Sequence, residues 1–321
     1  MHNLKAPFPW FGGKSRVAHE VWARFGNTPN YVEPFAGSLA VLLGRGDVGK
    51  VETVNDLDGF IANFWRAVSH DAEAVARHAD HPVNEVDLHA RHTWLVSRSD
   101  DLVARLMGDP EYYDVKIAGW WCWGLCCWIG SGWCSGQGPW QSVDGVFQRV
   151  DSDAGQGVNK QRPHLSGAGQ GCNKDTDLYA WFDALQARLS RVRVCCGDWR
   201  RVCGPSPTYK HGITAVFLDP PYSAEANRDM SLYAKDSATV AHDVRDWAIT
   251  NGDNPKLRIA LCGYESEHKM PNSWHAHSWK TKGGYGSQGN NTRGAANAHR
   301  EMIWFSPHCI NINKDTQLFG D

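Results

Sequence analysis

The 321-residue sequence has no excess of charge of either sign, because 33 Lys and Arg residues stand against 35 Asp and Glu residues. The net charge of −2 excludes a global basic field, so any surface for nucleic acid must be local. A long apolar run is also missing. The most apolar stretch, Val115 to Gly130, is too short and too often interrupted by Gly to span a membrane.

The ten cysteines form no CxxC pair and lack the regular spacing of a disulfide framework. With no secretory signal at the start, this pattern favours a reducing cytoplasm. Four cysteines cluster between Cys122 and Cys134, but not at the intervals of a zinc site, so we expect no metal. The glycine loops near the N-terminus lack the spacing of a P-loop or of a dinucleotide-binding turn. A chain of this length can bury one large core, as one domain or as one domain with an insertion.

The feature that is present and informative is Asp219-Pro220-Pro221-Tyr222, which follows the apolar run Thr214 to Leu218. The run predicts a buried strand, and the prolines predict that the chain turns out at its carboxyl end, where ligands bind in open α/β sheets. Asp219 and the Pro220 carbonyl can accept hydrogen bonds from an exocyclic amino group, and Tyr222 can stack on a flat base. The alternative is a proline-terminated strand whose Asp caps a helix.

Two further turns also come directly after predicted strands and carry residues that can contact a ligand. Tyr31 to Glu33 predicts a strand, and the tight loop Pro34 to Ser38 before a helix is typical of the first βα turn of a Rossmann-like unit. Val51 to Val54 predicts a second strand, and Asp56 behind it can accept both hydroxyls of a ribose. The alternative for Asp56 is an N-cap of the helix predicted from Gly59.

Charged residues also follow the N-terminal glycines and a third short strand. Lys14 comes after Gly12 and Gly13 and offers a point charge to an anion such as a carboxylate, although an ordinary turn is an alternative. Asp198 follows the strand predicted over Val192 to Cys196. Further along, Trp274 to Lys282 and Glu301 to Ser306 are predicted to pair as an antiparallel hairpin.

The middle of the chain has a different composition. After a mostly helical region, Gly119 to Cys134 contains many Trp and Cys residues, which favours an aromatic-packed core of an inserted subdomain over rings that stack on extruded bases. Gly136 to Gly171 is rich in Gly, Gln, Asn and Asp and predicts a long polar loop. Its cations, Arg149, Lys160 and Arg162, are candidates for contacts with DNA phosphates.

In their order along the chain, these motifs resemble those of the Dam-like, alpha-class DNA adenine N6-methyltransferases. The motifs are Trp10 to Lys14, Glu33 to Ser38, Asn55-Asp56, Gly197 to Trp199 and Asp219 to Tyr222. The resemblance covers residues 7–69 and 191–265, and the region Gly283 to Ser306 is similar to phage-encoded relatives. Residues 70–190 lie where this family places its target-recognition insertion.

The resemblance implies an α/β, Rossmann-like sheet of seven strands that binds S-adenosylmethionine, with an antiparallel hairpin at one edge. It implies a catalytic domain of residues 1–69 and 191–321, and a helical and loop subdomain of residues 70–190 for target recognition. The implied cofactor contacts are Trp10, Lys14, Phe35, Ala36, Gly37, Ser38, Asp56 and Asp198. The implied catalytic residues are Asp219, Pro220 and Tyr222.

The expected reaction is methyl transfer to N6 of a flipped adenine in DNA, with duplex DNA as the expected partner. In the family pattern, an Asp at position 219 favours adenine over cytosine. The alternatives are an N4-cytosine methyltransferase and a catalytically inactive nucleic-acid-binding module of the same fold.

Overall fold

A computed structural model describes residues 4–10, 12–129, 132–134, 140–143, 146–149, 162–163, 177–221, 239–265, 267–279 and 301–312. Strands and helices alternate over much of this chain. The strands are β1 (Asn30–Glu33), β2 (Val51–Asp56), β3 (Trp140–Val143), β4 (Val146–Arg149), β5 (Val192–Cys196), β6 (Thr214–Leu218), β7 (Leu257–Tyr264), β8 (His275–Ser278) and β9 (Glu301–Phe305). The helices are α1 (Ala18–Phe25), α2 (Ala40–Leu43), α3 (Gly59–Ala79), α4 (Glu85–Val96), α5 (Ser99–Gly108), α6 (Val115–Cys127), α7 (Leu178–Leu189), α8 (Arg200–Cys203) and α9 (Val240–Asn251).

Seven of the described strands form one mixed sheet in the order β5-β2-β1-β6-β7-β9-β8. The first five in this order run parallel, whereas β9 is antiparallel to both β7 and β8. The predicted α/β fold and the predicted edge hairpin are both confirmed, and this arrangement is consistent with the fold of S-adenosylmethionine-dependent methyltransferases. Strand β1 lies between β2 and β6. The strands of this sheet that follow β1 in the chain are first added on its β2 side, and from β6 onwards they are added on its opposite side.

The sheet is covered by helices on both faces because its strands carry apolar side chains on both faces. Tyr31, Ala215 and Phe217 belong to a core that includes α1, α3, α6 and α7. The residues that alternate with them, such as Val32 and Val216, belong to a second core with α8 and α9. This period of two places neighbouring side chains on opposite faces of the sheet.

The Trp- and Cys-rich stretch forms most of helix α6, which packs along α3. Trp121 contacts Phe8 and Phe64, with ring centroids 5.0 and 5.6 Å apart, and lies in the same core as the sheet. Trp123 and Trp128 belong to a smaller cluster beside Leu88 of α4. The rings are therefore packing residues, as expected, but α6 and α7 share the main core, and the domain division at residues 69 and 191 stays a prediction.

The predicted polar loop at residues 136–171 needs one correction, because β3 and β4 pair as an antiparallel hairpin within it. Val143 lies opposite Val146 in this pairing. The sequence between them is Asp144-Gly145, a strong hairpin signal that the polar composition around it obscured. No helix among the described residues is long and apolar enough to cross a membrane.

Candidate active site

Three carboxylates stand where the three central strands end. Glu33 is the last residue of β1, Asp56 is the last residue of β2, and Asp219 follows β6 directly. Because β1 pairs in parallel with both β2 and β6, these ends lie side by side at one edge of the sheet. The strand order reverses direction at β1, so this edge is the crevice in which ligands of open α/β folds bind.

The loop from Phe35 to Ser38 is held tightly over this edge. The Ala36 N–H donates to the Asn55 carbonyl at 2.9 Å, and the Trp65 indole N–H donates to the Gly37 carbonyl at 2.8 Å. Gly37 has a φ of 45°, and a Cβ at this position would lie 2.6 Å from Nε1 of Trp10. Only Gly lets the loop pass so close to the Trp10 ring. Phe35 and Ser38 are partly exposed beside it.

The carboxylate of Asp56 is fixed by backbone N–H groups. Its Oδ2 accepts from the N–H of Gly37 at 3.1 Å, and its Oδ1 accepts from the N–H of Asp58 at 3.0 Å. Burial, followed by the negative charge of Asp58, raises the pKa of Asp56 to about 7. Asp58 is the N-cap of α3, since it accepts from the N–H of Phe60, so the alternative N-cap interpretation of Asp56 is wrong.

Asn55 ties three strand ends together, a role that the sequence analysis missed. This residue is buried, and its side-chain amide donates to the Pro34 carbonyl at 3.1 Å and to the Gly197 carbonyl at 2.9 Å. One side chain on β2 therefore connects the loops that follow β1 and β5. An Asn next to a predicted site Asp was the only sequence signal for this role.

Glu33 is a second residue that the sequence analysis left out of the site. It is buried at the end of β1, and its carboxylate accepts a hydrogen bond from the Tyr31 hydroxyl at 2.9 Å. Burial is the main reason that its pKa is raised to about 8, and the nearby charges of Asp219 and Asp56 add to the shift. Its position at the end of a buried strand was a signal that could have found it.

Lys14 forms a buried ion-pair cluster with Asp219 and Glu301. Its Nζ lies 2.9 Å from Oδ2 of Asp219 and 3.7 Å from Oε2 of Glu301, and it also donates to the Gly12 carbonyl at 2.8 Å. Burial alone would lower the pKa of Lys14, but the two carboxylates outweigh it and raise that pKa, so the amine stays charged. The described contacts of the ammonium are thus with protein carboxylates, while its predicted contact with a cofactor stays a prediction.

The remaining members of the cluster lie on β7 and β9, which follow β6 in the order of the sheet. Cys262 of β7 faces Asp219, and burial, followed by the charge of Asp219, raises the pKa of its thiol, which therefore stays protonated. Burial also raises the pKa of Glu301, against the opposing effect of Lys14. No sequence signal pointed to Glu301, because only the antiparallel insertion of β9 beside β7 brings it to the site.

Asp198 lies at the same edge but is open to solvent. Its carboxylate accepts from the N–H of Arg200 at 2.8 Å and pairs with the Arg200 guanidinium at 3.2 Å. The adjacent Trp199 packs against Phe35 of the βα loop, with ring centroids 6.2 Å apart. Asp198 therefore lies next to the ring pair of Trp199 and Phe35, and its predicted contact with the cofactor stays a prediction.

The other predicted residues are spread more widely. Pro220 is buried behind Asp219, whereas Tyr222 lies outside the described residues. Of the three predicted phosphate contacts, Arg162 forms an ion pair with Asp80, Arg149 ends strand β4, and Lys160 lies outside the described residues. Among the residues that the structure describes, no group of His, Cys, Asp and Glu is arranged to hold a metal ion.

Residues 10–105 match the family model of the D12 class N6 adenine-specific DNA methyltransferases. The match includes Trp10, Lys14, the loop after β1 and Asp56, and it continues through α4 into α5. It confirms the predicted resemblance to adenine methyltransferases and supports adenine-N6 methylation of DNA as the reaction. No match was found among curated proteins.

Proposed function

We propose that this chain, whose residues 10–105 match the D12 adenine methyltransferases, moves a methyl group from S-adenosylmethionine to N6 of adenine in DNA. The observation that carries the proposal is the meeting of Asp56 and Asp219 at the edge of the sheet, on either side of β1. The side of the crevice with Asp56 suits a cofactor, and the side with Asp219 suits the amino group of a base.

The chemistry of the side chains fits this cofactor. S-adenosylmethionine carries a sulfonium and an ammonium, and the crevice offers the carboxylates of Glu33 and Asp56, whose pKa values of about 8 and about 7 fall when a cation binds beside them. In this proposal the ribose hydroxyls bind Asp56, and the cofactor's adenine lies near Asp198 and Phe35. Trp10 and the loop from Phe35 to Ser38 form the floor of the pocket.

When bound, S-adenosylmethionine supplies an activated methyl group whose sulfur leaves as a neutral sulfide. The task of the protein is then to orient the amine of the target base, since its lone pair is delocalised into the ring. Asp219 and the Pro220 carbonyl accept hydrogen bonds from the NH₂ group and stabilise the positive charge that grows on nitrogen. Tyr222 is proposed to stack on the flipped base, which must leave the duplex to reach this site.

Lys14 and Glu301 are positioning residues in this proposal. Lys14 contacts Asp219 at 2.9 Å, and Glu301 approaches the same ammonium at 3.7 Å, so the cluster fixes where the Asp219 carboxylate points. The contact therefore aims the Asp219 carboxylate as a hydrogen-bond acceptor for the target amine.

The test is incubation of the purified protein with methyl-labelled S-adenosylmethionine and mixed-sequence duplex DNA, followed by mass spectrometry of the nucleosides. The expected product is N6-methyl-2′-deoxyadenosine, and Asp219→Ala should abolish most of it. Asp246→Ala, which changes an exposed carboxylate on α9, is the matched control. N4-methylcytosine would identify the alternative enzyme, and DNA binding without any methylated nucleoside would identify an inactive module.

A further inference from the structure

A group of cations packs on indole rings between helices α4 and α6, outside the site described above. We define the indole–cation patch as Trp94, Arg91, Arg98, Lys116 and Trp120. Arg98 lies 3.6 Å from the centroid of the Trp94 ring. Lys116 lies 4.7 Å from the Trp94 ring and 4.4 Å from the Trp120 ring. The two indoles meet edge to face, with centroids 5.1 Å apart.

The patch carries positive charge that carboxylates do not neutralise. No carboxylate in the described part of the chain forms an ion pair with Arg91, Arg98 or Lys116. Asp87 is near enough to Arg91 to oppose the lowering of its pKa by burial, but forms no ion pair with it; Asp114 caps α6, and Asp101 pairs with Arg105 at 2.7 Å. Arg24 and Arg188, by contrast, each bind a glutamate.

The neighbouring histidines report the same positive field. Burial lowers the pKa of His78, and Lys116 lowers it further. Burial also lowers the pKa of His81, and Arg91 adds to that effect. His78 at the end of α3 and His81 just after it are thus biased towards their neutral forms, even though Asp114 opposes the shift at His78 and Asp80 and Asp87 oppose it at His81.

The packing also fixes the cations in place. Arg91 is buried, 4.2 Å from the Trp123 ring and 4.9 Å from the Trp120 ring. It therefore adds positive charge beneath the exposed part of the patch. Arg98 and Lys116 are partly exposed. Their stems lie on indole faces, which restricts the side chains before any partner arrives and reduces the entropy lost on binding.

Helix α6 connects the patch to the proposed active site. Trp121, the neighbour of Trp120, packs on Trp10 with ring centroids 6.4 Å apart, and Trp10 covers Gly37 of the βα loop. This loop and Asp219 follow neighbouring strands at the same edge of the sheet, so a duplex that delivers a base to Asp219 comes close to the loop. The surface of α6 beside α4 is therefore placed to meet the flanking backbone of such a duplex.

We propose that the indole–cation patch binds the sugar–phosphate backbone of the DNA substrate, with Arg98 and Lys116 contacting phosphates. The proposal rests on the proposed function for the identity of its partner. Its positive charge suits a polyanion, and phosphate contacts position a protein on DNA without reading its sequence. The patch should therefore act on every duplex that the protein binds, whatever its target sequence.

The experiment measures binding of a fluorescent, mixed-sequence duplex as a function of salt concentration. The double variant Arg98→Gln, Lys116→Gln should flatten the slope of log affinity against log salt by up to about 0.9 for each lost phosphate contact. The matched control is Arg191→Gln, Lys256→Gln, which removes one exposed Arg and one exposed Lys before β5 and β7, at the opposite edge of the sheet. The slope of the control should equal that of the unmodified protein.

Binding of S-adenosylmethionine, measured by calorimetry on the same preparations, should be unchanged in both variants and shows that they are folded. An unchanged slope in the Arg98 and Lys116 variant, or an equal loss in the control, would overturn the proposal. Failure of the proposed function looks different. In that case no DNA is methylated by the unmodified protein, while the difference in salt slope between the two double variants remains.

Discussion

Strand β2 carries an acidic residue near each end, Glu52 buried and Asp56 partly exposed, and the surroundings of the two carboxylates differ. At the amino end, Glu52 binds two arginines, with its carboxylate 2.9 Å from Arg45 and 2.7 Å from Arg188, and also accepts from the N–H of Gly49. At the carboxyl end, the described hydrogen bonds of Asp56 come from two backbone N–H groups. No cation pairs with Asp56 among the described residues, and its pKa is raised to about 7.

The difference separates a structural charge from a binding charge. Glu52 joins β2 to α7 and to the segment after α2, and its partners satisfy it within the protein. Asp56 is held in place but not neutralised, so the protein keeps a destabilised carboxylate at its ligand edge. Such perturbed groups are typical of functional sites. Glu33 at the carboxyl end of β1 resembles Asp56 in this respect, because its pKa is also raised, to about 8.

The largest expected effect is at the structural end. Glu52→Gln leaves Arg45 and Arg188 buried without a counter-charge, so we expect the free energy of unfolding in urea to fall by about 3–5 kcal/mol. Asp101→Asn, which breaks the exposed α-helical pair with Arg105, is the control and should cost well under 1 kcal/mol. A loss as small as that of the control would mean that Glu52 is not the structural charge of β2.

The next effect is on the rate of methyl transfer. Asp219→Ala removes the acceptor that is proposed to orient the amine, so single-turnover methylation should slow by at least about a hundredfold. Binding of cofactor and of DNA should stay nearly intact, because the proposed contact of Asp219 is with the reacting amine. If this variant methylates at a rate near that of the unmodified protein, the assignment of the active site is wrong.

A smaller effect is expected on cofactor affinity. Asp56→Ala and Asp198→Ala each remove a charge-assisted hydrogen bond, and each should weaken binding of S-adenosylmethionine by roughly ten- to a hundredfold. Asp198 is exposed and paired with Arg200, so its variant should lie at the weaker end of that range. Calorimetry that finds unchanged affinity in both variants would remove these residues from the cofactor site.

The smallest effect is a dependence of cofactor affinity on pH. The pKa of Asp56 is about 7, so its carboxyl is mostly neutral at pH 6 and becomes negative as the pH rises. Between pH 6 and pH 7.5, ionisation of this group should strengthen binding of the cationic cofactor by about eightfold, with release of a proton. Calorimetry in buffers of different ionisation enthalpy measures both quantities, and a flat profile would contradict the raised pKa.

The sequence predicted what depends on local pattern. The strand before Asp219, the hairpin partners β8 and β9, and the acids at the ends of β2 and β5 were all found from apolar runs and the residues that end them. Glu301 and Asn55 could not be found in this way. Their roles depend on which strands become neighbours, and on side-chain hydrogen bonds to loops far away in the sequence.

The helix α6 was missed for another reason. Trp, Cys and Gly are weak helix formers, so local propensity did not indicate a helix. Packing against α3 overrides that propensity. Gly119 allows this packing, because a Cβ at its position would collide with Cβ of His78 on α3. Tertiary packing of this kind cannot be read from composition.

The buried cluster around Lys14 also has a consequence for how the protein matures during its synthesis. Lys14 leaves the ribosome early, in a segment that packs against α6 and α7 through the carbonyls of Pro7 and Lys5. Its partners Asp219 and Glu301 emerge much later, and Glu301 comes last, on β9. Contacts of such long sequence separation form late in folding. The buried cluster of Lys14, Asp219 and Glu301 can therefore be completed only after β9 has been synthesised and has joined the sheet.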